Sequence, residues 1–428
     1  MAFPVGGALV GLVLREPSSG NFALVAGSDR IDELVSSDVT AAALAAVVAV
    51  AIVTCLSKMA AAVGSVAAGA LLLAVPLLFP TAVGLYFNGV GAGLVLGGLL
   101  GLARAGAGHA RWSLAAVATG VVLGSLDLVS SVPRRYADYM TADHVTSGIF
   151  SGWDIELVVV WILLVVTVAL AVSFLVEREA GASCAGKSVD IRAAIVGLGV
   201  PIVALVVHWL YVSATWDLVP FSDGWQILGA ATAVTGVVAV AALWLPRSTG
   251  LVLVTGLAVA SVGVNPTFVH SRGWIAEVAV IVAAAALAFA AGRRWPMPVL
   301  GIVALGALAV AALEFDDLTA PLFPIVAAYA FAAGAPPSNE RGDVSAVAVP
   351  GVLAVALFVR PFSADFGWTA YTPLTSASYT SSTSTGWTGH AASTAWTVVH
   401  NGSGVASIAV CAAVAWFLVR RTTRTESA

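Results

Sequence analysis

Four ionisable residues fall inside or at the ends of long apolar runs: Asp127, Glu156, His208 and Glu277. A carboxylate or imidazole in hydrocarbon is costly, so such residues pair, face a water-filled cavity or line a path for an ion or polar solute. Glu156 opens its run and is barely inside. Asp127, His208 and Glu277 lie deeper and are the candidates for a substrate pathway. Two further acidic groups lie in polar gaps. The first holds Asp29, Asp32, Glu33 and Asp38, and the second holds Glu314, Asp316 and Asp317. A carboxylate in such a gap, Asp32 or Glu33 in particular, could act as a base toward an acceptor hydroxyl or hold a divalent metal. Membrane glycosyltransferases that use polyprenyl-phosphate sugars place an acidic pair in their first outer loop.

Other catalytic patterns are missing. The six histidines have no i, i+4 spacing with an intervening Glu, and there is no serine elbow and no Walker loop. Cys55, Cys184 and Cys411 have no metal or redox spacing, and no disulfide is assigned. The run Gly89-Val90-Gly91-Ala92-Gly93, followed by Gly97, Gly98 and Gly101, has no preceding strand and no following Lys, so it reads as a helix-packing face and not a phosphate loop. No cofactor is implied. Asn401-Gly402-Ser403 matches a glycosylation acceptor, a pattern short enough to arise by chance.

The elements that must position these residues follow from composition. Of 428 residues, 60% are hydrophobic and only 10% charged, with a mean hydropathy of +0.98. Soluble domains carry about a quarter charged residues, so lipid is the solvent here. The net charge of −4 excludes a nucleic-acid partner. Apolar runs centre on residues 2–14, 40–56, 60–79, 83–103, 112–131, 155–176, 193–213, 227–245, 250–264, 274–292, 297–313, 322–335, 344–359 and 405–419. Each must be helical, because a lipid-exposed backbone has to satisfy its own hydrogen bonds. The first run is short for a span and has no basic region before it, so it is not read as a secretory signal. The expected fold is an all-α polytopic bundle of about twelve to fourteen transmembrane helices, a single unit over residues 1–428.

If every run spans, Arg15, Arg30, Arg134, Arg135, Arg272 and Arg360 fall on one side, and the rest of the 19 basic residues on the other. The richer side is expected to be cytoplasmic, which puts both termini inside a plasma membrane. The acids and His208 then sit toward the outer face, as does a long gap at residues 360–404. Several tryptophans stand at segment ends, as expected of an interfacial aromatic belt. The loop Ser57-Lys58-Met59 lacks the Gly/Asp/Arg signature of major-facilitator carriers, and no mid-membrane Lys–Glu chain of a proton pump is visible.

The gap at 360–404 opens with Asp365-Phe366-Gly367-Trp368-Thr369-Ala370-Tyr371-Thr372-Pro373-Leu374. Its Phe-Gly-Trp-x-Ala-Tyr-x-Pro-Leu string resembles one in multi-spanning, uncharacterised actinobacterial membrane proteins, and the Lys-poor, Ala/Val/Gly/Arg-rich composition is similar. The resemblance covers nine residues and implies a lineage but no activity. Physically, Asp365, Trp368 and Tyr371 belong to an aromatic amphipathic segment suited to the outer interface. The leading expectation is a transporter or flippase-like protein for an amphipathic or envelope-related substrate, a lipid or glycolipid. The alternatives are a polyprenyl-phosphate-sugar-dependent glycosyltransferase or its accessory subunit, and a structural subunit of a membrane complex. The sequence fixes no oligomeric state.

Overall fold

The structure is a computed structural model that describes residues 2–15, 38–56, 58–78, 84–105, 110–125, 155–177, 190–216, 225–262, 274–312, 316–335, 342–358 and 394–425. The described residues form fourteen helices: α1 (Ala2–Arg15), α2 (Asp38–Cys55), α3 (Met59–Leu78), α4 (Gly84–Ala105), α5 (Ala110–Ser125), α6 (Ile155–Glu177), α7 (Ile191–Trp216), α8 (Trp225–Trp244), α9 (Arg247–Ala260), α10 (Trp274–Arg294), α11 (Pro298–Ala311), α12 (Asp316–Gly334), α13 (Gly342–Phe358) and α14 (Thr394–Thr425). Each coincides with one apolar run of the sequence, so the chain is an all-α polytopic membrane bundle. Four stretches, Met59–Leu78, Gly84–Arg104, Ala276–Arg294 and Gly402–Arg421, are individually long and apolar enough to cross a bilayer. Ten further helices carry shorter apolar stretches of 10–17 residues.

One boundary differs from the sequence expectation. Helix α14 begins at Thr394, so the end of the expected 360–404 loop is helical. Two of the residues there, Ser403 and Gly404, look loop-forming in sequence but are small enough to pack, while Gly402 is exposed. Ser403 is buried, its carbonyl accepts a bond from the Ser407 hydroxyl, and Gly404 abuts the Ser261 carbonyl at the end of α9. Asn401-Gly402-Ser403 is therefore part of a helix and not of a loop.

Helices in lipid gain little from burying leucine against leucine, so close backbone approach has to hold them together. The glycine run of α4 does this on two sides. Gly89, Gly93 and Gly97 touch Ala41, Ala45 and Ala49 of α2 in rising order, so those helices run parallel. Gly91 meets Gly69 and Gly98 meets Ala62, so α3 runs antiparallel to α4. The α1–α5 contact is reciprocal. Gly7 and Gly11 lie against the Val117 and Val121 carbonyls, while Gly120 and Gly124 lie against the Pro4 and Ala8 carbonyls. Those two helices are parallel as well. A first helix too short to be certain of spanning from its sequence is thus locked beside a later one.

The remaining directions agree. Helices α7 and α13 are parallel through Gly197–Val347 and Pro201–Gly351 contacts, and α9 and α13 through Thr249–Ser345 and Gly256–Val352. Helix α14 opposes α9, with Gly404 at Ser261 and Leu418 at Gly250. Odd-numbered helices run one way and even-numbered ones the other, as a chain that crosses with every helix requires. Helix α9 sits deepest, buried from Ser248 through Val259 and packed by α8, α11, α12, α13 and α14.

The α1–α5 contact leaves no room for a side chain. We expect Gly124→Val to cost about 1–3 kcal/mol through overpacking, read as a lower melting temperature in detergent. Gly64→Val on α3, where a Cβ would meet nothing within 4 Å, is expected to leave it unchanged. Equal stability of the two variants would mean that α1 is not docked on α5.

Candidate functional site

Among the described residues no Asp, Glu, Lys, Arg or His side chain is buried; the buried polar side chains are hydroxyls and Asn88. Nor do three or more His, Cys, Asp or Glu side chains converge there to hold a metal. The interior chemistry is therefore that of uncharged donors and acceptors. Such groups bind other helices or neutral polar solutes without paying the cost of a buried charge.

The hydroxyls gather around α9. Near its start, Thr249 and Ser345 of α13 share a hydrogen bond of 2.7 Å. Midway, Thr255 donates to the Leu251 carbonyl four residues back and faces Gly334 of α12. At its end, Ser261 donates to the Leu257 carbonyl. On the neighbouring α8–α14 contact, Thr235 donates to Ser407 at 2.9 Å, and Ser407 in turn donates to the Ser403 carbonyl. No motif or spacing in the sequence marks these residues out. Their signal was available only as isolated Ser and Thr in apolar runs, and nothing in a run says which helix will face it. Another buried hydroxyl, Thr167 on α6, has no hydrogen-bond partner and lies beside Gly6 of α1. Rotation about χ1 would bring a helical threonine hydroxyl to the carbonyl four residues back.

A second feature lies where α7 crosses α13. Pro201 has no N–H, so the Gly197 carbonyl loses its helical donor. That carbonyl rests against Gly351, immediately after Pro350 of α13. A Cβ at Gly351 would also stand 3.1 Å from the Pro201 ring. Two proline-interrupted helices therefore cross backbone to backbone. Helix α13 also packs against α2, α4, α5 and α9, and α7 against α2 and α8, so both helices of the crossing touch early and late parts of the bundle.

Of the pathway candidates Asp127, His208 and Glu277, only the Glu277 side chain is among the described residues. Glu277 is exposed in the first turn of α10 and does not face the bundle interior as expected. The reason is that α10 packs through one narrow stripe, Ile281, Ala285 and Gly292, chiefly against α12. Glu277 lies one turn beyond Ile281, where the stripe has run out. His208 belongs to α7 and Glu156 to α6, but their side chains are outside the described residues, as are Asp127, Asp32, Glu33, Asp365, Trp368 and Tyr371. Cys411 is buried as expected of a small core residue, whereas Cys55, at the end of α2, is exposed.

The cations whose side chains are described share one end, with Asp190 among them. Lys58, Arg104, Arg192, Arg247, Arg293, Arg294, Arg420 and Arg421 all stand at helix ends that the alternating directions place together. Direct contacts support this grouping: Arg104 donates to the Val53 carbonyl at 2.7 Å, and the Arg293 guanidinium lies 4.9 Å from the Trp112 ring centroid. Glu277 lies at the opposite end.

No protein-family model matches this chain, and no curated protein matches it. Among solved structures, the bundle is similar to the major facilitator superfamily proton:xylose symporter XylE bound to 6-bromo-6-deoxy-D-glucose, with a TM-score of 0.47, 15% identity, and coverage of 98% of this chain and 94% of that one. It is also similar to the human organic anion transporter MFSD10 (TETRAN), with a TM-score of 0.41, 14% identity and coverage of 97% of each chain. A likeness at this level carries no activity over.

The Thr249–Ser345 bond is expected to couple α9 to α13. In a double-mutant cycle of Thr249→Val and Ser345→Ala, unfolded by SDS titration, the interaction energy should come to about 0.6 kcal/mol, the average for such bonds in membrane bundles. Additive single effects would show that the bond does not form.

Proposed function

We propose that this protein is a membrane carrier of transporter or flippase type, acting on an amphipathic, envelope-related substrate such as a lipid or glycolipid. The observation that carries this reading is the Pro201–Gly351 crossing. A carrier has to move one group of helices against another around its site. Such motion needs an interface that can rotate without opening a cavity. Two glycines, two prolines and a carbonyl released from its helical bond supply a close backbone contact at that point. The buried hydroxyls around α9 are uncharged, in keeping with a substrate whose buried part is neutral. An ion-coupled path through buried carboxylates draws no support from the described interior.

We further propose that the protein sits in a plasma membrane with both termini cytoplasmic. The one-sided distribution of described cations supports this orientation. Residues 360–393 would then lie outside, and the Asp365–Tyr371 segment would stand near the outer mouth.

Reconstitution tests the carrier reading. Liposomes containing the protein and a fluorescent short-chain phospholipid or polyprenyl-phosphate sugar are treated with a membrane-impermeant quencher. We expect fluorescence loss to pass well beyond the outer-leaflet half, with Gly351→Val slowing it at least tenfold while the variant stays folded. Loss that stops at half for every lipid tested would oppose a flippase. Orientation is tested by cysteine labelling in intact cells after removal of the native cysteines. Ser382→Cys should react with an impermeant maleimide and Ser427→Cys should not; the reverse pattern would invert the topology.

A further inference from the structure

The packing of the helices repeats along the chain. The neighbours α1–α4, α1–α5, α1–α6, α2–α4, α3–α4 and α3–α6 have counterparts eight helices on, namely α9–α12, α9–α13, α9–α14, α10–α12, α11–α12 and α11–α14. The weaker α1–α2, α4–α5 and α9–α11 contacts have no counterpart of similar extent. A shift of eight helices also keeps every direction, odd with odd. Helices α1–α6 and α9–α14 are therefore two like units, and α7 and α8 belong to neither.

Exchanging the units turns the pair α2–α13 into α10–α5, yet these two seams differ. Helices α2 and α13 pack along each other, and α7 lies on both. Where the three meet, a Cβ on Gly197 of α7 would stand 3.0 Å from Cγ2 of Val50 on α2 and 2.5 Å from the Val347 carbonyl oxygen on α13. Helix α8 packs on α7 and fastens the pair to the second unit, through the Thr235–Ser407 bond and the contact of its Ala242 carbonyl with Gly250. Among the described residues α5 and α10 are not packed helix against helix. They are joined through Trp112, edge-on to the Phe289 ring at 6.4 Å between centroids and beneath the Arg293 guanidinium at 4.9 Å. Helix α12 lies on both α5 and α10, as its counterpart α4 lies on both α13 and α2. Among the described residues no helix takes the part of α7 there.

We propose that the α7–α8 pair is a strap that makes the α2–α13 seam a one-sided hinge, so that the units part on the other side, where α5 faces α10 and α12. The proposal rests on the carrier reading and adds to it the line along which the units separate. A hinge needs members that stay together while they turn. Helix α7 supplies this, because it is tied to the second unit through α8 and reaches a helix of each unit at one glycine. Pro201, one turn further on, interrupts its hydrogen-bond ladder and lets it bend there. The parting seam needs contacts that can be remade. A ring edge on a ring and a guanidinium over a ring are individually weak and leave no backbone to separate.

Dipolar spectroscopy of spin-label pairs in lipid nanodiscs tests the strap, with the native cysteines replaced. Ala116→Cys/Ala290→Cys spans α5 and α10, and Ala51→Cys/Ile202→Cys spans α2 and α7. The first pair should show two distances and the second one. Gly197→Ala should add a second distance to the α2–α7 pair, because its Cβ would displace α7 from Val50 and the Val347 carbonyl. Two distances across α2–α7 without that substitution, or an α2–α7 distance untouched by it, would overturn the strap and leave the carrier reading standing. One distance in each pair would overturn both. Should Gly197→Ala not fold, lipid scrambling in liposomes decides. Bridging Trp112→Cys to Phe289→Cys with a short bifunctional thiosulfonate should slow it at least tenfold, whereas bridging Val50→Cys to Val347→Cys should not slow it. The opposite pattern, or equal effects of the two bridges, would overturn the proposal.

Discussion

Hydrocarbon offers helices no reward for hiding leucines, because the lipid tails are as apolar as the side chains they would replace. This bundle accordingly depends on places where backbones touch. The glycines of α4 seat it between α2 and α3, the reciprocal glycines of α1 and α5 hold a short first helix in place, and Gly197 and Gly351 bring α7 onto α13. Each contact fixes a direction as well as a distance, and the directions together reproduce an alternating fourteen-helix path. Around these contacts the hydroxyls of α8, α9, α13 and α14 add bonds that cost no buried charge. At the α7–α13 crossing two of these glycines meet two prolines, and the Gly197 carbonyl is released from its helical bond.

Much of this was readable in the sequence, because in a membrane protein the helix signal is length and apolarity rather than periodicity. All fourteen runs became helices, and the run from Gly89 to Gly101 became a packing face. Partner choice was not readable for the same reason. A run that is apolar on every side does not say which face meets protein, so the Thr249–Ser345 and Thr235–Ser407 pairs carried no advance signal. Glu277 shows the limit most clearly. A carboxylate inside an apolar run implies an interior position only if its helix is packed on that side, and α10 is packed along a single stripe that ends before it. At α14 the small residues Ser403 and Gly404 misled in the opposite sense. They look like loop, yet small size is what allows close packing in lipid.

The two ends of the bundle differ in chemistry, and that difference ties the fold to its surroundings. The described cations collect at one end, several of them stacked on tryptophan, while the described interior holds hydroxyls and no charge. An anionic leaflet would hold the first set at fixed depth. The second ties helices together through uncharged hydrogen bonds among the described residues. A fixed end and a movable crossing are what a carrier of uncharged or amphipathic molecules requires.

The central claim is that the parts of the bundle joined at the α7–α13 crossing move against each other. Spin labels at Lys58→Cys, at the start of α3, and Arg421→Cys, near the end of α14, test it directly once Cys55, Cys184 and Cys411 are replaced. Pulsed dipolar spectroscopy in lipid nanodiscs should show two distance populations, and Gly351→Ala should shift their ratio. One narrow distance, unchanged by Gly351→Ala, would contradict the account and leave the bundle a rigid scaffold.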